Sequence, residues 1–385
     1  MCGIAGVSAR LSPPAIEELL VQMSASIRHR GPDADGIWMA PDGTSGFAHR
    51  RLSIIDLSTV ANQPMTSASG RYVLTFNGEI YNFQTLRSEL QTAGYAFKTR
   101  SDTEVILAGI EIWGLQQSLE RFIGMFAFAV WDRNTKAVYL VRDRLGVKPL
   151  YYGFNGGQWA FASELKALES VDFLDFSLSA TASSLYLRYG YIPAPHSIYR
   201  GIQKVPPGSI VCFATDGRQP SITRYWDLIS IAEQGQKTPA AIQPDEAVER
   251  LEELLNDAVR LRMIADVPLG AFLSGGIDSS TIVAMMRRHS SRKIRTFTIG
   301  FHEPSMDEAP YARAVAEHLG TEHHELYIGQ AELLQHVDEI TTIADEPFAD
   351  ASILPTWLLS RLAASEVKVV LSRWRRRVVC RIFPL

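Results

Sequence analysis

The chain opens Met1-Cys2-Gly3-Ile4-Ala5-Gly6-Val7. Removal of Met1, which a small second residue favours, makes Cys2 the N-terminal residue, with a thiol and a free α-amine on one atom framework. Such an amine has a pKa of roughly 8, in the range useful to a general base. A thiol beside its own amine is a self-contained nucleophile and base. Taken alone, a cysteine at position 2 is more often a small buried hydrophobe. A second chemical string is Leu273-Ser274-Gly275-Gly276-Ile277-Asp278-Ser279-Ser280, between an apolar run (Val267 to Leu273) and a helical one (Thr281 to Met286). Adjacent glycines between strand and helix let backbone N–H groups turn inward around an anion, and the helix N-terminus adds its dipole. It is not a Walker A loop, because no lysine follows the second glycine and the spacing differs. An ordinary glycine-rich turn is the alternative.

Further polar clusters mark the first half: His29-Arg30-Gly31-Pro32-Asp33 after a helical stretch (Pro13 to Ile27), His49-Arg50-Arg51-Leu52-Ser53-Ile54-Ile55-Asp56, and Asn62-Gln63-Pro64. A strand ending at Phe76 leads into Asn77-Gly78-Glu79-Ile80-Tyr81-Asn82. Arg100-Ser101-Asp102-Thr103-Glu104 has the order of a helix N-cap. Gly124-Met125-Phe126-Ala127-Phe128-Ala129 and Val141-Arg142-Asp143-Arg144-Leu145-Gly146-Val147-Lys148-Pro149-Leu150 follow. Singly, each has a structural alternative: Arg51 as a surface cation, Asn77-Gly78 as a hairpin turn.

The elements that must position these residues change character along the chain. Alternation in Arg71 to Phe76 and Ala137 to Val141 reads as strands, so the first half is β-rich with helices covering its sheets. Ala214 to Thr238 is polar and Gly/Gln-rich, a linker with the aromatic anchor Arg224-Tyr225-Trp226-Asp227. A packing helix runs from Asp245 to Met263, apolar at Val248, Leu251, Leu255 and Val259. Strands and helices then alternate: strand 295–301, a helix from Asp307 to Leu319 ended by Gly320, strand 323–328, helices 331–344 and 354–364, and the apolar strand Val367 to Ser372. This β–α alternation predicts a doubly wound parallel α/β sheet, with ligands at the carboxyl ends of the strands, where the Ser274 loop lies.

The domain reading is 1–212, a linker 213–243, a second domain 244–372 and an aberrant tail 373–385. At 385 residues the chain is long enough for two or three domains. A hydrophobic content of 46% and a charged content of 21% are those of a soluble globular protein. The net charge of −4 gives no electrostatic case for nucleic acid or an anionic membrane. Cys2, Cys212 and Cys380 are too few and too odd a set for a disulfide framework. No apolar run approaches the roughly 20 residues of a membrane span, and the N-terminus lacks the pattern of a signal peptide, so a cytoplasmic location is expected. The His323-His324 pair lacks partners at metal-ligand spacing.

Residues 2 to about 212, through these motifs in this order, resemble the class II glutamine amidotransferase domain. The resemblance implies an αββα sandwich of the N-terminal-nucleophile type. It implies Cys2 as the nucleophile on the glutamine side-chain amide, with the Asn77 amide and Gly78 N–H as the oxyanion hole, which needs donors fixed before charge develops. It also implies Arg51 on the glutamine α-carboxylate, which its fork geometry suits, and Glu79 and Asp102 on the α-ammonium.

From about 245 to Ser372 the chain resembles the synthetase domain of glutamine-hydrolysing asparagine synthetases, through Asp266-Val267-Pro268-Leu269-Gly270, the Ser274 loop, Phe297-Thr298-Ile299-Gly300 and Asp345-Glu346-Pro347. The loop itself resembles the pyrophosphate loop of enzymes that cleave ATP between its α- and β-phosphates. By this resemblance Ser274, Gly275, Gly276, Asp278 and Ser279 meet ATP phosphates and Mg²⁺, with Asp278 on the metal, Leu273 and Ile299 flank the adenine, and Ser372 is a further ATP-binding residue. Asp345-Glu346-Pro347, otherwise a helix stop, resembles a segment near the adenylate site. The implied reaction makes β-aspartyl-AMP from aspartate and ATP, and ammonia from the Cys2 site displaces AMP to give asparagine. The partners are therefore small molecules; oligomeric state is open, a homodimer being one option.

After Ser372 the sequence departs from the family, whose Ser-Gly-Asp-Gly-Gly-Asp-Glu-Leu-Phe-Ala-Gly loop completes the ATP site. Here Arg373-Trp374-Arg375-Arg376-Arg377-Val378-Val379-Cys380-Arg381 follows. With CGN arginine codons, this stretch read from its second base gives Asp-Gly-Gly-Asp-Glu-Leu-Phe-Ala-Gly. A frameshift just after Ser372 with early termination at Leu385 is expected, and with it a chain unable to make asparagine, whose strand Val367 to Leu371 has an uncovered face or edge. Competing readings are an amidotransferase for another carboxylate acceptor, as in polysaccharide or secondary-metabolite clusters, and an inactive remnant with at most glutaminase activity. Amidotransferases making glucosamine phosphate or phosphoribosylamine are disfavoured, since their second domains lack the Ser274 string.

Overall fold

The computed structural model describes residues 1–214, 217–239, 241–374 and 377–380. Contacts divide the chain into two compact units, Met1–Thr238 with Ala344–Ala349, and Pro239–Ile343 with Asp350–Leu385.

In the first unit the strands are β1 (Gly3–Ser8), β2 (Ala34–Met39), β3 (Ser45–Arg51), β4 (Met65–Thr66), β5 (Tyr72–Ile80), β6 (Gly124–Asp132), β7 (Val138–Arg142), β8 (Tyr151–Asn155), β9 (Gln158–Ala162), β10 (Ile202–Lys204), β11 (Ser209–Phe213) and β12 (Ser221–Arg224). The helices are α1 (Pro13–Ser26), α2 (Phe83–Thr92), α3 (Asp102–Trp113), α4 (Leu115–Arg121), α5 (Ala180–Tyr189) and α6 (Leu228–Lys237). One antiparallel sheet has the order β10-β8-β9-β1-β3-β2 and the other β12-β11-β7-β6-β5-β4. Ile4, Phe47 and Phe161 of the first sheet meet Val73, Ala127, Leu140 and Phe213 of the second in a core closed to water. On the outer face of the first sheet, Ile16, Leu20 and Met23 of α1 bury Ala5, Val7 and Ala48. Helix α3 packs on β5 and α2 on α3. Local chemistry agrees with this layering. Pro13 and Pro14 suit the first turn of α1, and Ser101 caps α3, its Oγ accepting the Thr103 N–H at 3.0 Å. The αββα sandwich is therefore as expected.

The second unit has α7 (Pro244–Arg262), β13 (Leu269–Phe272), α8 (Ile277–His289), β14 (Arg295–Phe301), α9 (Ala309–Leu319), β15 (Glu322–Ile328), α10 (Gln330–Gln335), α11 (Val337–Ile343), α12 (Ile353–Ala364), β16 (Val369–Trp374) and β17 (Arg377–Cys380). The sheet order is β15-β14-β13-β16-β17. The pairings are parallel from β15 to β16, with Phe272 opposite Phe297 and Ala271 opposite Leu371. The chain turns from one side of β13 to the other between β15 and β16, the doubly wound pattern that leaves a crevice at the strand ends. Phe297, Val367, Val370 and Ala363 form the core beneath.

Four local expectations change. The stretch read as a linker carries β12, paired to β11, and α6, capped where the Asp227 carboxylate accepts the Ser230 N–H at 3.3 Å. Its Glu233, Gln234, Gln236 and Lys237 are polar but good helix formers, and polarity alone suggests a linker. The helix expected over 331–344 breaks at His336 into α10 and α11. Along α7, Val259 is buried whereas Val248 and Leu251 are more than half exposed. The edge of β16, expected to be open, is paired antiparallel with β17, Leu371 opposite Cys380 and Trp374 opposite Arg377. A run with two adjacent valines continues the sheet as a strand. The rest of the tail, 375–376 and 381–385, lies outside the described residues.

Candidate active site

Cys2 stands immediately before β1, the strand held between β3 and β9. Its Sγ receives the Leu52 N–H at 3.4 Å, and its carbonyl oxygen accepts from Arg30 Nε at 3.0 Å. Arg30 is buried, and its Nη1 pairs with Glu164 Oε1 at 2.5 Å. Glu164 also meets His29 at 2.9 Å, and its carboxyl is held at about 2 against the opposition of burial, by the His29 hydrogen bond and the charges of Arg30 and His29. Burial raises the Cys2 thiol, yet the influence of nearby His49, the N-terminus and the Leu52 N–H outweighs it and brings the pKa to about 6. Such a thiol is largely thiolate at neutral pH, the nucleophilic form.

Asn77 and Gly78 lie inside β5, opposite Ala127 and Phe126, so the hairpin-turn alternative fails. Asn77 is fully buried. A β-carbon on Gly78 would come within 2.3 Å of the Met125 carbonyl oxygen and 2.7 Å of the Phe126 Cα, so the close approach of β6 requires glycine there.

Arg51 ends β3, buried. Its Nη1 donates to Ser58 O at 2.8 Å and to Asn62 Oδ1 at 2.7 Å, and its Nη2 donates to Asp56 O. The loop after β3 thus wraps the guanidinium and takes three of its five N–H groups; two remain, enough for one carboxylate.

Glu79 on β5 and Asp102 at the start of α3 are both buried. Asp102 Oδ2 accepts the Ile80 N–H at 3.0 Å. Its pKa is pushed up to about 7, by burial first and then by the charges of Glu79 and Cys2, against the Ile80 and Thr103 N–H groups. Two buried carboxylates close enough to raise each other's cost of ionisation form a site suited to a cation. Cys2, Arg51, Asn77, Gly78, Glu79 and Asp102, scattered over a hundred positions of sequence, thus belong to neighbouring ends of β1, β3, β5 and α3.

In the second unit, Leu273 follows β13 and its N–H donates to Phe297 O at 3.0 Å. The Ser274 and Ser279 hydroxyls lie 3.1 Å apart across the loop, and Gly276 is the N-cap of α8. Gly275 has φ +77°, and a β-carbon there would come within 2.6 Å of the Tyr311 and Ala312 backbone. The left-handed conformation suits glycine, and α9 pressed against it leaves no room for a side chain. Ser372, one residue beyond the Ala271–Leu371 pair, and Ile299 on β14 stand at the same ends of the sheet. The N-terminus of α8 behind the loop offers its dipole to an anion. Asp278 in the first turn of α8 offers one carboxylate, as Mg²⁺ shared with phosphates needs. No group of three metal-ligating side chains occurs among the described residues.

Asp345 and Glu346, placed by resemblance near the adenylate, are engaged within the first unit. Asp345 accepts the Leu165 N–H at 2.8 Å and lies 3.4 Å from Lys166; Glu346 accepts the Ile198 N–H at 2.8 Å and pairs with Lys204 at 2.5 Å. His49, Leu52 and Glu164 receive no role from the sequence. Only the strand phase of His49, two residues before Arg51, could have pointed to it.

Residues 1–226 match the glutamine amidotransferase domain family and residues 250–372 the asparagine synthase family. A putative glutamine-hydrolysing asparagine synthetase 2 of Methanocaldococcus jannaschii is 36% identical over 97% of this chain and 73% of its own length. A putative glutamine-hydrolysing asparagine synthetase of Mycobacterium tuberculosis is 40% identical over 97% of this chain and 59% of its own length. The glutamine-hydrolysing asparagine synthetase 1 of Bacillus subtilis is 37% identical over 97% of this chain and 57% of its own length. This chain therefore spans between 57% and 73% of these relatives. Among solved structures, the glutamine phosphoribosylpyrophosphate amidotransferase of B. subtilis with ADP and GMP is similar at 17% identity and a TM-score of 0.46, over 87% of this chain and 70% of that one. No helix among the described residues is long and apolar enough to cross a membrane. By its two matched domains and by these relatives, the chain belongs to the family of glutamine-hydrolysing asparagine synthetases.

Proposed function

We propose that the chain carries the glutamine-hydrolysing site and the ATP loop of a glutamine-dependent amidation of aspartate to asparagine. The observation that carries this reading is a low-pKa Cys2 thiol before a central strand, in a unit that also brings two buried carboxylates and a half-engaged arginine to the neighbouring strand ends. Arg51 presents its remaining N–H pair to the α-carboxylate of glutamine, and Glu79 and Asp102 receive the α-ammonium. Cys2 Sγ attacks the side-chain amide carbon, and the Asn77 amide and Gly78 N–H hold the oxyanion. Collapse releases ammonia and leaves a thioester, which water hydrolyses to glutamate. The α-amine exposed by Met1 removal supplies one base on the nucleophile's own framework.

In this reading residues 1–212 are the glutaminase domain, 213–243 the connection and 244–372 the ATP-binding part. Ser274, Gly275, Gly276 and Ser279 hold ATP phosphates, Asp278 the Mg²⁺, Leu273 and Ile299 the adenine, and Ser372 is a further ATP-binding residue. ATP supplies the leaving group that the aspartate carboxylate lacks, through β-aspartyl-AMP. The substrates are small metabolites, with which a cytoplasmic location accords. The arginine-rich residues after Ser372 do not provide the acidic loop of the family, so glutamine hydrolysis without asparagine formation is expected of the chain as it stands.

The test incubates purified full-length chain with glutamine and measures glutamate, then adds aspartate and MgATP and measures AMP and asparagine. Glutamate release abolished by Cys2→Ala supports the reading. Release unchanged by Cys2→Ala would overturn the glutaminase site, and glutamine-dependent asparagine would overturn the expected defect.

A further inference from the structure

The motif Asn62-Gln63-Pro64 has no part in the proposed chemistry, yet its first two side chains reach three of the places assigned to glutamine. Asn62 Oδ1 accepts from Arg51 Nη1 at 2.7 Å. Gln63 is buried, with Oε1 at 2.7 Å from the Phe76 nitrogen and Nε2 at 3.2 Å from Thr103 Oγ1. A backbone N–H can only donate, so the amide has one orientation here: Oε1 accepts from Phe76 and Nε2 donates to Thr103. One side chain thereby ties β5, at the residue before Asn77, to the first turn of α3, at the residue after Asp102.

The sheet explains why β5 needs this tie. On its outer side β5 is paired only with the two-residue β4, Met65 opposite Leu74 and Thr66 opposite Val73. Carried on, that register sets Gln63 opposite Phe76, and there a side chain takes the place of a neighbouring strand. In an antiparallel strand alternate residues turn their N–H and C=O groups to opposite edges. At the outer edge the Phe76 N–H meets Gln63, the Phe76 carbonyl accepts from His49 Nε2 at 3.2 Å, and the Ile80 N–H meets Asp102 Oδ2 at 3.0 Å. Gly78 lies midway between Phe76 and Ile80, so the pleat turns its N–H to this same edge. Behind Gln63, a β-carbon on Gly36 of β2 would come within 2.2 Å of the Gln63 carbonyl oxygen, so the main chain of Gln63 is itself seated against β2.

We propose that Gln63 is a positioning residue for the oxyanion hole. It fixes β5 at Phe76 as Asp102 fixes it at Ile80, and so aims the Asn77 and Gly78 donors between them before charge develops. This rests on Cys2 being the glutaminase nucleophile and on Asn77 and Gly78 being that hole. Gln63 acts through the backbone of β5 and not on the substrate, and Thr103 holds its amide in the orientation that Phe76 requires.

The experiment measures kcat and KM for glutamate release from glutamine by the full chain, in wild type, Gln63→Met, Thr103→Val and Thr103→Ser. Methionine is unbranched like glutamine and lacks its amide. An oxyanion contact is made only in the transition state, so Gln63→Met should lower kcat about tenfold and leave KM within about threefold. That is less than the roughly hundredfold or greater loss on deleting a hole donor outright. Thr103→Val should lower kcat by a smaller factor, and Thr103→Ser, which keeps the hydroxyl, should restore it. A fall in kcat of less than about threefold in folded Gln63→Met, or a loss confined to KM, would overturn the proposal. If Gln63→Met does not fold, the threonine variants decide, and equal kcat for valine and serine overturns it. Hydrogen exchange over residues 72–81, with Cys2→Ala in both proteins, reads the tie without the chemistry. Gln63→Met should speed exchange at the Phe76 amide by about tenfold or more, and unchanged exchange overturns the tie. Glutamate release that survives Cys2→Ala alone would instead remove the nucleophile assignment.

Discussion

Replacing Asp102 with asparagine should stabilise the glutaminase unit at pH 8 and remove its hold on glutamine. Burial, Glu79 and Cys2 lift the Asp102 carboxyl from 3.8 to about 7. That is about three pH units, and at about 1.4 kcal/mol per unit the ionised side chain costs the folded state about 4 kcal/mol above pH 7. The folded protein keeps the proton up to about 7, whereas the unfolded chain releases it near 3.8. The stabilisation from holding that proton is therefore complete below pH 3.8 and lost as pH rises through 7. Asparagine carries no charge and still offers an oxygen to the Ile80 N–H, now 3.0 Å from Oδ2. At roughly 2 °C or more per kcal/mol for a unit of this size, Asp102→Asn should raise the first thermal transition by on the order of 8 °C at pH 8. At pH 5 the gain should shrink to less than half. The assay is differential scanning calorimetry at both pH values, repeated with glutamine in a Cys2→Ala background so that ligand is not consumed. Glutamine at about a hundred times its Kd should stabilise the protein that keeps Asp102 by about 2.7 kcal/mol and leave the Asp102→Asn variant unmoved. Destabilisation at pH 8, or an equal gain at both pH values, would refute the account of Asp102 as an uncompensated buried acid awaiting a cation.

Gly78→Ala should cost about 3 kcal/mol of urea stability and abolish glutamate release, because its β-carbon meets the Met125 carbonyl at 2.3 Å in a strand with no freedom to move; wild-type stability would discount that clash. Gly275→Ala should weaken ATP binding, followed with a fluorescent nucleotide, while glutamate release stays within twofold of wild type, since the strained position lies in the other unit. Glu164→Gln should lose about 3 kcal/mol at pH 7 by leaving Arg30 without its buried partner. Its carboxyl sits at about 2 against an ordinary 4.5, so the loss should fade in urea titrations as pH falls through that range, and a pH-independent loss would mean packing rather than charge.

The parts of this site that could be read from the sequence are those whose chemistry is local. A cysteine behind a removable methionine, a glycine pair opening a helix and a serine ahead of Asp102 each state their role within a few residues. The pair Asn77-Gly78 shows where local reading ends. By dipeptide preference it is a turn, and only the register with Ala127 and Phe126, some fifty residues away, makes it strand. The motif series of the amidotransferase domain resolves that pair ahead of any geometry. His49 has no such help: its burial and its place 3.2 Å from the Phe76 carbonyl follow from the packing of β5, which its neighbours in sequence do not announce.

The acids of Asp345-Glu346-Pro347 carry the same point to longer range. Locally they read as a helix stop with surface charges, and α11 does end at Ile343. Yet Asp345 and Glu346 are held by Leu165, Lys166, Ile198 and Lys204, about 140 to 180 positions earlier in the chain. Burial pushes the Asp345 carboxyl upward, with the charge of Glu164 adding to it and Lys166 opposing. Because Glu164 also pairs with Arg30, and Arg30 holds the Cys2 carbonyl, a continuous run of charged contacts joins Asp345 to the nucleophile's backbone. Removing the Asp345 charge therefore relieves repulsion on Glu164 while freeing Lys166, and these oppose each other at Cys2. The pH profile of Cys2 alkylation in Asp345→Asn should accordingly stay within about half a pH unit of wild type; a shift of about a full unit or more would show that the two effects do not cancel along this run of charges.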